Sequence, residues 1–254
     1  SLAATPELIQ KSVLTAHHLE TPTATEMIEL NLTPLAEGFR FGGLNKAWDA
    51  RNHEADAVSL IEKQVTWPPE NQRGDAKIQD RALLFPASSF KGALSHRVAY
   101  HYNLLTETFA DDAQTIEEEC AENTAVRELF GYVADKEAHA GCVLFNDFYL
   151  TDNLSAVKLP HSGIDRFTGG VREGVLFFEE LITCEQSLPP ITLVLTKPKS
   201  EFKPETITAL ERTLDDLCHG YLALGAGSGR GGYGYFTGTW NWLAKPREEK
   251  QNAA

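Results

Sequence analysis

The sequence predicts an α+β fold of the ferredoxin-like (RRM-like) class: a split βαβ sheet with long insertions and a glycine-rich loop. Strand and helix patterns follow one another in the order β-α-β-(β)-β-α-β, which is the first observation behind this prediction. The second is "LGAGSGRGGYGYFTG" (224–238), which holds seven of the nineteen glycines around Arg230. RNA-binding domains and unrelated enzymes share this architecture, so the fold alone does not determine the function.

The first element is a strand within "TEMIELNL" (25–32). Ile28, Leu30 and Leu32 alternate with polar residues there, as in a strand with one buried face. Residues 1–26 are predicted to be a leader or linker, and 27–243 the main domain. The stretch 44–80 is rich in charge and contains Pro68-Pro69, which predicts a long insertion.

The next element is a helix that Ser88 or Ser89 can cap. Its apolar residues recur at helical spacing: Phe90, Ala93, Leu94, Val98 and His101. An acidic helical insertion at 106–137 follows this helix.

The second half of the chain predicts more strands and one more helix. Strands are expected at 141–150, 174–181 and 191–197, which are rich in β-branched and aromatic residues. Pro204 begins a helix with 3-4 apolar spacing, from Ile207 to Tyr221. "GYGYFTGTWNWL" (232–243) predicts the last strand, and 244–254 a disordered tail.

Charge and composition limit the function classes. The net charge of −13 argues against a protein that coats nucleic acid, but about −8 of it lies between Glu107 and Glu137. The remainder is only mildly acidic. The four cysteines are far apart, which predicts neither a zinc site nor a disulfide framework. There is no apolar run of membrane-spanning length and no secretory signal pattern, so a cytoplasmic protein is expected.

The glycine-rich stretch predicts either a phosphate-binding loop or a tight turn before a strand. Glycines admit positive φ and let backbone N–H groups approach an anion, and both alternatives use this property. Gly227, Gly229 and Gly232 match GxGxxG, but a helix precedes them and a strand follows. That order is the reverse of a dinucleotide site, and the missing Lys-Ser or Lys-Thr excludes a Walker loop.

Two other stretches have residues suited to anions. "FPASSFKGALSHR" (85–97) places Ser88, Ser89 and Lys91 at a helix start, where the N–H groups and the helix dipole favour a negative ligand. "HSGIDRFTGGVREGVLFFEEL" (161–181) predicts a polar loop at a sheet edge, with an Asp-Arg pair and a threonine before two glycines. Each pattern is also compatible with a purely structural role.

Taken together, these stretches resemble the RAMP superfamily of CRISPR-associated proteins, most closely the repeating backbone subunit of type III effector complexes. The resemblance spans roughly 27–238 and rests on "TPLAEGFRFGG", "PASSFKG", "IDRFTGG" and "LGAGSGRGGYG". It implies a subunit that binds guide RNA through phosphates and shape, associates with other RAMP subunits, and leaves sequence recognition to pairing between guide and target RNA. The residues expected to contact RNA are Ser88, Ser89, Lys91, Arg97, Arg166, Thr168, Gly227, Ser228, Gly229, Arg230 and Gly231.

The resemblance also implies that the paired target RNA can be cut with Mg²⁺ or Mn²⁺ through a loop aspartate. Asp75 is the closest positional match, and Asp49 and Asp56 are the alternatives. The chemistry would need a 2′-hydroxyl in line with its phosphate and a carboxylate as base or metal ligand. A non-cleaving binding or capping subunit, and a protein scaffold that has lost RNA, remain open alternatives.

Overall fold

The computed structural model describes residues 26–35, 38–43, 47–68, 74–108, 123–133, 138–150, 153–226 and 232–243. In these ranges the predicted mixture of helices and strands is confirmed, with few helices and several antiparallel sheets. The helices are α1 (Ala87–Thr106), α2 (Thr124–Phe130) and α3 (Pro204–Cys218). The strands are β1 (Glu26–Pro34), β2 (Gly42–Gly43), β3 (Val58–Ser59), β4 (Ile61–Thr66), β5 (Lys77–Phe85), β6 (Gly131–Val133), β7 (Ala138–Ala140), β8 (Val143–Leu144), β9 (Phe148–Leu150), β10 (Leu154–Ile164), β11 (Val171–Cys184), β12 (Ile191–Leu195) and β13 (Phe236–Leu243).

The central sheet has four strands in the order β13-β1-β12-β8, and every neighbouring pair is antiparallel. In β1 the side chains of Ile28, Leu30 and Leu32 are fully buried and alternate with partly exposed residues. This is the one-sided burial that the sequence predicts. It arises because successive side chains of a strand point to opposite faces of the sheet.

Two helices, α1 and α3, pack against each other and bury their apolar residues in the same core as β1. Leu94 and Val98 of α1 and Leu210 and Leu214 of α3 are completely buried, in agreement with the predicted spacing. No helix in the described part of the chain is long and apolar enough to cross a membrane.

The start of α1 differs from the prediction. Neither Ser88 nor Ser89 caps the helix: Pro86 occupies the N-cap position and makes no side-chain capping bond. Instead, the Ala87 N–H donates to Oδ1 of Asp147 over 2.6 Å. A carboxylate sixty residues away in the chain thus satisfies one free N–H of the first turn, a contact that local sequence signals cannot reveal.

The predicted strand at 141–150 is two short strands in different sheets. β8 pairs with β12 in the central sheet, whereas β9 pairs with β5 in a three-stranded sheet of β4, β5 and β9. The prediction of one strand is wrong because the chain leaves the central sheet after Leu144 and passes through Asp147, which binds the start of α1. β4 and the first residues of β5 lie within the predicted insertion 44–80.

The predicted strand at 174–181 is the middle of a longer strand outside the central sheet. β10 and β11 form a two-stranded hairpin of 11 and 14 residues, paired from Leu154 opposite Cys184 to Ile164 opposite Val171. The register shifts between Ser162 and Ile164. Its stem is joined to the rest of the molecule by a bridge between Phe39 and Ile182.

The acidic stretch is described only in part. Helix α2 and strands β6 and β7 lie in or next to the predicted insertion 106–137, and α2 buries Ala125, Val126, Leu129 and Phe130. Residues 109–122 and 134–137 lie outside the described ranges, as do the predicted leader through residue 25 and the predicted tail 244–254.

Two glycines within the glycine-rich stretch test how closely the chain is packed there. Gly225 has φ +85°, and a Cβ there would lie 2.3 Å from the Arg40 carbonyl oxygen, whereas Gly232 has φ +70° and open space. We expect Gly225→Ala to lower the free energy of unfolding by roughly 2–4 kcal/mol. The new Cβ would force the Arg40 backbone to move, and the alanine itself would have to keep a strained positive φ. Gly232→Ala should lower the free energy of unfolding by only about 1 kcal/mol, because the positive φ is its one source of strain. Urea denaturation measures both, and equal losses would contradict the close approach at Gly225.

Candidate nucleic-acid interface

The segment 38–41 joins the three stretches that the sequence singles out. Phe39 and Ile182 of β11 exchange two backbone hydrogen bonds of 2.9 Å. On the same segment, the Ala226 N–H donates to the Arg40 carbonyl (2.8 Å) and the Gly234 N–H donates to the Gly38 carbonyl (2.9 Å). The stem of the hairpin and both flanks of the glycine-rich loop are therefore attached to one short piece of backbone.

Aromatic packing brings the start of α1 to the same place. The ring of Phe41 lies 4.1 Å from that of Phe85, and the Phe85 ring contacts Phe236 at 6.4 Å between centroids. Phe85 ends β5, and Pro86 follows it as the N-cap of α1. The helix start, the hairpin stem and the glycine-rich loop thus share one end of the central sheet.

Part of the glycine content has a structural cause. Gly225 and Gly234 both have positive φ, and a Cβ at Gly234 would lie 2.4 Å from the Leu224 carbonyl oxygen. These two glycines permit the close backbone contacts with segment 38–41. The predicted phosphate-binding residues Gly227, Ser228, Gly229, Arg230 and Gly231 lie outside the described residues.

A buried carboxylate, Glu179 of β11, holds the flank of the glycine-rich loop to the hairpin. Its side chain receives a hydrogen bond from Nε of Arg40 (2.5 Å) and another from the Tyr233 hydroxyl, and Glu179 is 3% exposed. Burial, together with the bond to Glu179, raises the pKa of Tyr233 to about 12. Nε2 of His161 lies 2.9 Å from Glu179 Oε2 without the orientation of a hydrogen bond.

The neighbouring residue Glu180 points to the opposite face of β11, as successive strand residues do. It is fully buried and accepts hydrogen bonds from the backbone N–H groups of Trp48 (2.7 Å) and Asp49 (2.9 Å) and from the Asn52 amide (3.1 Å). Sequence reasoning missed both glutamates. Their signal, two acids in an otherwise apolar strand ("LFFEELI"), is visible in the sequence.

A cavity of about 490 Å³ opens beside Glu179, between the hairpin and the flank of the glycine-rich loop. The side chains that give it chemical character are Arg40, His161, Ser162, Phe177 and Tyr233. The His161 ring stacks on Phe177, with centroids 4.9 Å apart and planes at 15°. A guanidinium, a hydroxyl and stacked rings around a cavity of this size suit an RNA nucleotide, which offers both phosphate and base.

The loop of the hairpin presents a cation and an aromatic ring to solvent. Asp165 Oδ1 accepts from the backbone N–H groups of Phe167 and Thr168 (both 2.9 Å) and from the Thr168 hydroxyl (3.2 Å). The N–H groups of Thr168 and Phe167 lower the pKa of the Asp165 carboxyl. This turn leaves Arg166 exposed beside Phe167, which is 90% exposed. Thr168 thus holds the turn, while Arg166 faces outward.

The predicted residues of α1 have different surroundings. Ser88 and Lys91 are exposed, Ser89 is half-buried, and a Cβ at Gly92 would meet open space. Arg97, by contrast, donates from Nε to Oδ2 of Asp216 over 2.5 Å, and His101 Nε2 lies 2.7 Å from the same oxygen. The structure thus leaves Lys91 accessible to a ligand and gives Arg97 a partner on α3.

The three candidate catalytic aspartates also differ. Asp49 makes a double contact with Arg51 (2.9 and 2.5 Å), and this hydrogen bonding lowers the pKa of its carboxyl. Asp56 Oδ2 accepts from the backbone N–H of Phe178 over 2.8 Å. Asp75 is exposed just before β5, and no described residue binds its carboxylate. No group of three or more potential metal ligands occurs within the described ranges.

Comparison of the sequence with known proteins identifies its family. No curated protein matches the sequence significantly. The sequence model of the RAMP superfamily matches residues 68–237, a range that includes α1, the hairpin, α3 and the glycine-rich stretch. Membership of this superfamily indicates a CRISPR-associated, RNA-binding module. Because the match covers well over half of the chain, the protein belongs to the RAMP superfamily.

Proposed function

We propose that this chain is a guide-RNA-binding backbone subunit of a type III RNA-guided effector complex, with other RAMP subunits and target RNA as its partners. The observation behind the proposal is that the start of α1, the hairpin and the glycine-rich stretch converge on segment 38–41. On this proposal, the sheet β13-β1-β12-β8 with α1 and α3 is the split βαβ unit of a ferredoxin-like domain. Its strand order and its antiparallel neighbours support that assignment.

Binding would rest on phosphates and shape. Lys91 on α1 and Arg166 in the hairpin loop are exposed cations, and Arg230 in the glycine-rich stretch would add a third. The cavity at Glu179 would receive one nucleotide. Contacts of this kind do not distinguish bases, so pairing with the guide would provide the sequence recognition.

Cleavage of the paired target is the second part of the proposal, and Asp75 is the preferred carboxylate. Asp49 and Asp56 bind their neighbours in the protein, whereas Asp75 is free of described partners and exposed. A Mg²⁺ or Mn²⁺ ion would supply charge neutralisation at the scissile phosphate. Asp75 would contact it as a single carboxylate, since Mg²⁺ commonly takes one or two protein carboxylates and completes its shell with phosphate oxygens and water.

A non-cleaving binding or capping module is the second candidate function. The observation that favours it is the isolation of Asp75: no group of potential metal ligands surrounds it in the described part of the chain. The same RNA-binding surface would then hold guide and target without cutting.

The binding surface is tested by removing its exposed cations. Arg166→Ala and Lys91→Ala should each weaken guide-RNA binding and lower the salt slope of log K by roughly one unit, because each loses one phosphate contact. Arg212→Ala, which removes an exposed cation on α3, is the matched control and should change neither. Filter binding over a salt series measures both quantities for all three variants and for Arg230→Ala. Unchanged affinity and slope in Arg166→Ala and Lys91→Ala would remove these residues from the interface.

The catalytic assignment is tested with the three aspartates under identical Mg²⁺ or Mn²⁺. Asp75→Ala should abolish cutting of the guide-paired target while target binding survives, because a carboxylate at the scissile phosphate acts mainly on the transition state. Asp49→Ala and Asp56→Ala should lose stability and retain cutting. Cutting by Asp75→Ala at the wild-type rate would contradict the assignment, and a wild-type complex that never cuts would favour the non-cleaving module.

A further inference from the structure

A second cavity, of about 350 Å³, lies near the other end of the central sheet. Its lining comes from α2, β6, β7 and a residue just after β12: Thr124, Arg127, Glu128, Tyr132, His139 and Lys197. Leu195, at the end of β12, pairs with Glu26 at the start of β1, whereas segment 38–41 follows the far end of β1. The length of β1, about 26 Å at roughly 3.3 Å per residue, therefore separates this end of the sheet from the candidate RNA interface.

Positive charge converges on this second cavity, although the whole chain carries −13. Arg127, Lys197 and the ring of His139 come from three separate parts of the chain. Within the described ranges, neither Arg127 nor Lys197 takes part in an ion pair. Glu128 also lines the cavity, and its Oε2 accepts a hydrogen bond from the Thr206 hydroxyl over 2.7 Å. The cavity thus offers two cations to an anion, against one carboxylate that is already hydrogen-bonded to α3.

Aromatic rings fix the orientation of these groups. The Arg127 guanidinium, whose N–H groups share one plane, lies 3.8 Å from the centre of the Tyr132 ring, and this cation–π contact restricts its position. The His139 ring faces Tyr132 at 6.3 Å between centroids, with the planes at 28°. Oriented guanidinium groups bind phosphate oxygens through paired N–H donors, and rings of this kind offer stacking surface to a base.

We propose that this cavity binds a nucleotide unit, with the phosphate at Arg127 and Lys197 and the base against Tyr132 and His139. The volume suits one nucleotide rather than a longer ligand. An acidic peptide would use the cations but not the rings, so a nucleotide is the better match. The proposal goes beyond the guide-binding surface and does not rest on it, since the two sites share no residue.

The test follows the His139 imidazole signals by NMR while AMP, inorganic phosphate or a short single-stranded RNA is added to the full chain. This readout reports the second cavity and not the hairpin surface. AMP should shift the signals until they saturate, and its dissociation constant should be lower than that of phosphate. Lys197→Glu should raise the AMP dissociation constant at least about tenfold, as expected for a lost charge-assisted contact. Lys203→Glu, which reverses an exposed charge nearby but outside the cavity, should leave it unchanged.

The RNA arm separates the two sources of a nucleotide. Tighter binding of the oligonucleotide than of AMP at His139 would assign the site to an RNA chain, and equal or weaker binding to a free nucleotide. The proposal is overturned if no probe shifts the signals saturably, if Lys197→Glu binds AMP like the wild type, or if a glutamate-rich peptide binds more tightly than AMP. None of these failures affects the salt-slope test of Arg166 and Lys91, so the experiments can refute either proposal without refuting the other.

Discussion

The structure depends on the backbone of Gly38–Phe41 lying within hydrogen-bonding distance of two other chain segments at once. A Cβ at Gly38 would lie 2.5 Å from the Ile182 carbonyl oxygen, and one at Gly225 would meet the Arg40 carbonyl. Side chains are therefore excluded where these backbones meet. The rings of Phe39 and Phe41 extend from the same segment into the core, where they contact Phe236 and Phe85. Close backbone contact and aromatic packing thus hold together the parts of the chain that form the proposed interface.

Acidic composition and RNA binding are compatible here because of where the described charges lie. Glu179 and Glu180 are buried and hydrogen-bonded, so they organise the hairpin stem rather than face a phosphate. Asp147 likewise binds the first turn of α1. Each of these carboxylates counts in the net charge, but its hydrogen bonds go to groups of the protein itself. A net charge summed over the sequence is therefore a poor guide to the field at one surface.

Periodicity predicted the elements that have one buried face, and it failed where the decisive contact is distant in sequence. The alternation in β1 and the spacing in α1 and α3 identified those elements, because their side chains meet one core. The division of 141–150 into β8 and β9, and the capping of α1 by Asp147, arise from tertiary contacts that no local window contains. At the proposed site, the motifs predict Arg166 and Lys91, and the structure shows both as exposed. Arg40, Glu179 and Tyr233 were missed, since they come together only through the fold.

The adjacent pair Glu179 and Glu180 has a mechanical consequence for the hairpin. One carboxylate is bound on each face of β11, so the stem is held from both sides, to segment 38–41 and to the loop at 48–52. Beyond this double attachment, β11 runs back to Val171, eight residues or about 27 Å at 3.4 Å per residue. An arm of that length converts a tilt of a few degrees at its root into a displacement of an ångström or more at Arg166 and Phe167. The hydrogen bonds of the two buried carboxylates at the root of the hairpin therefore determine how precisely Arg166 and Phe167 are positioned at its tip.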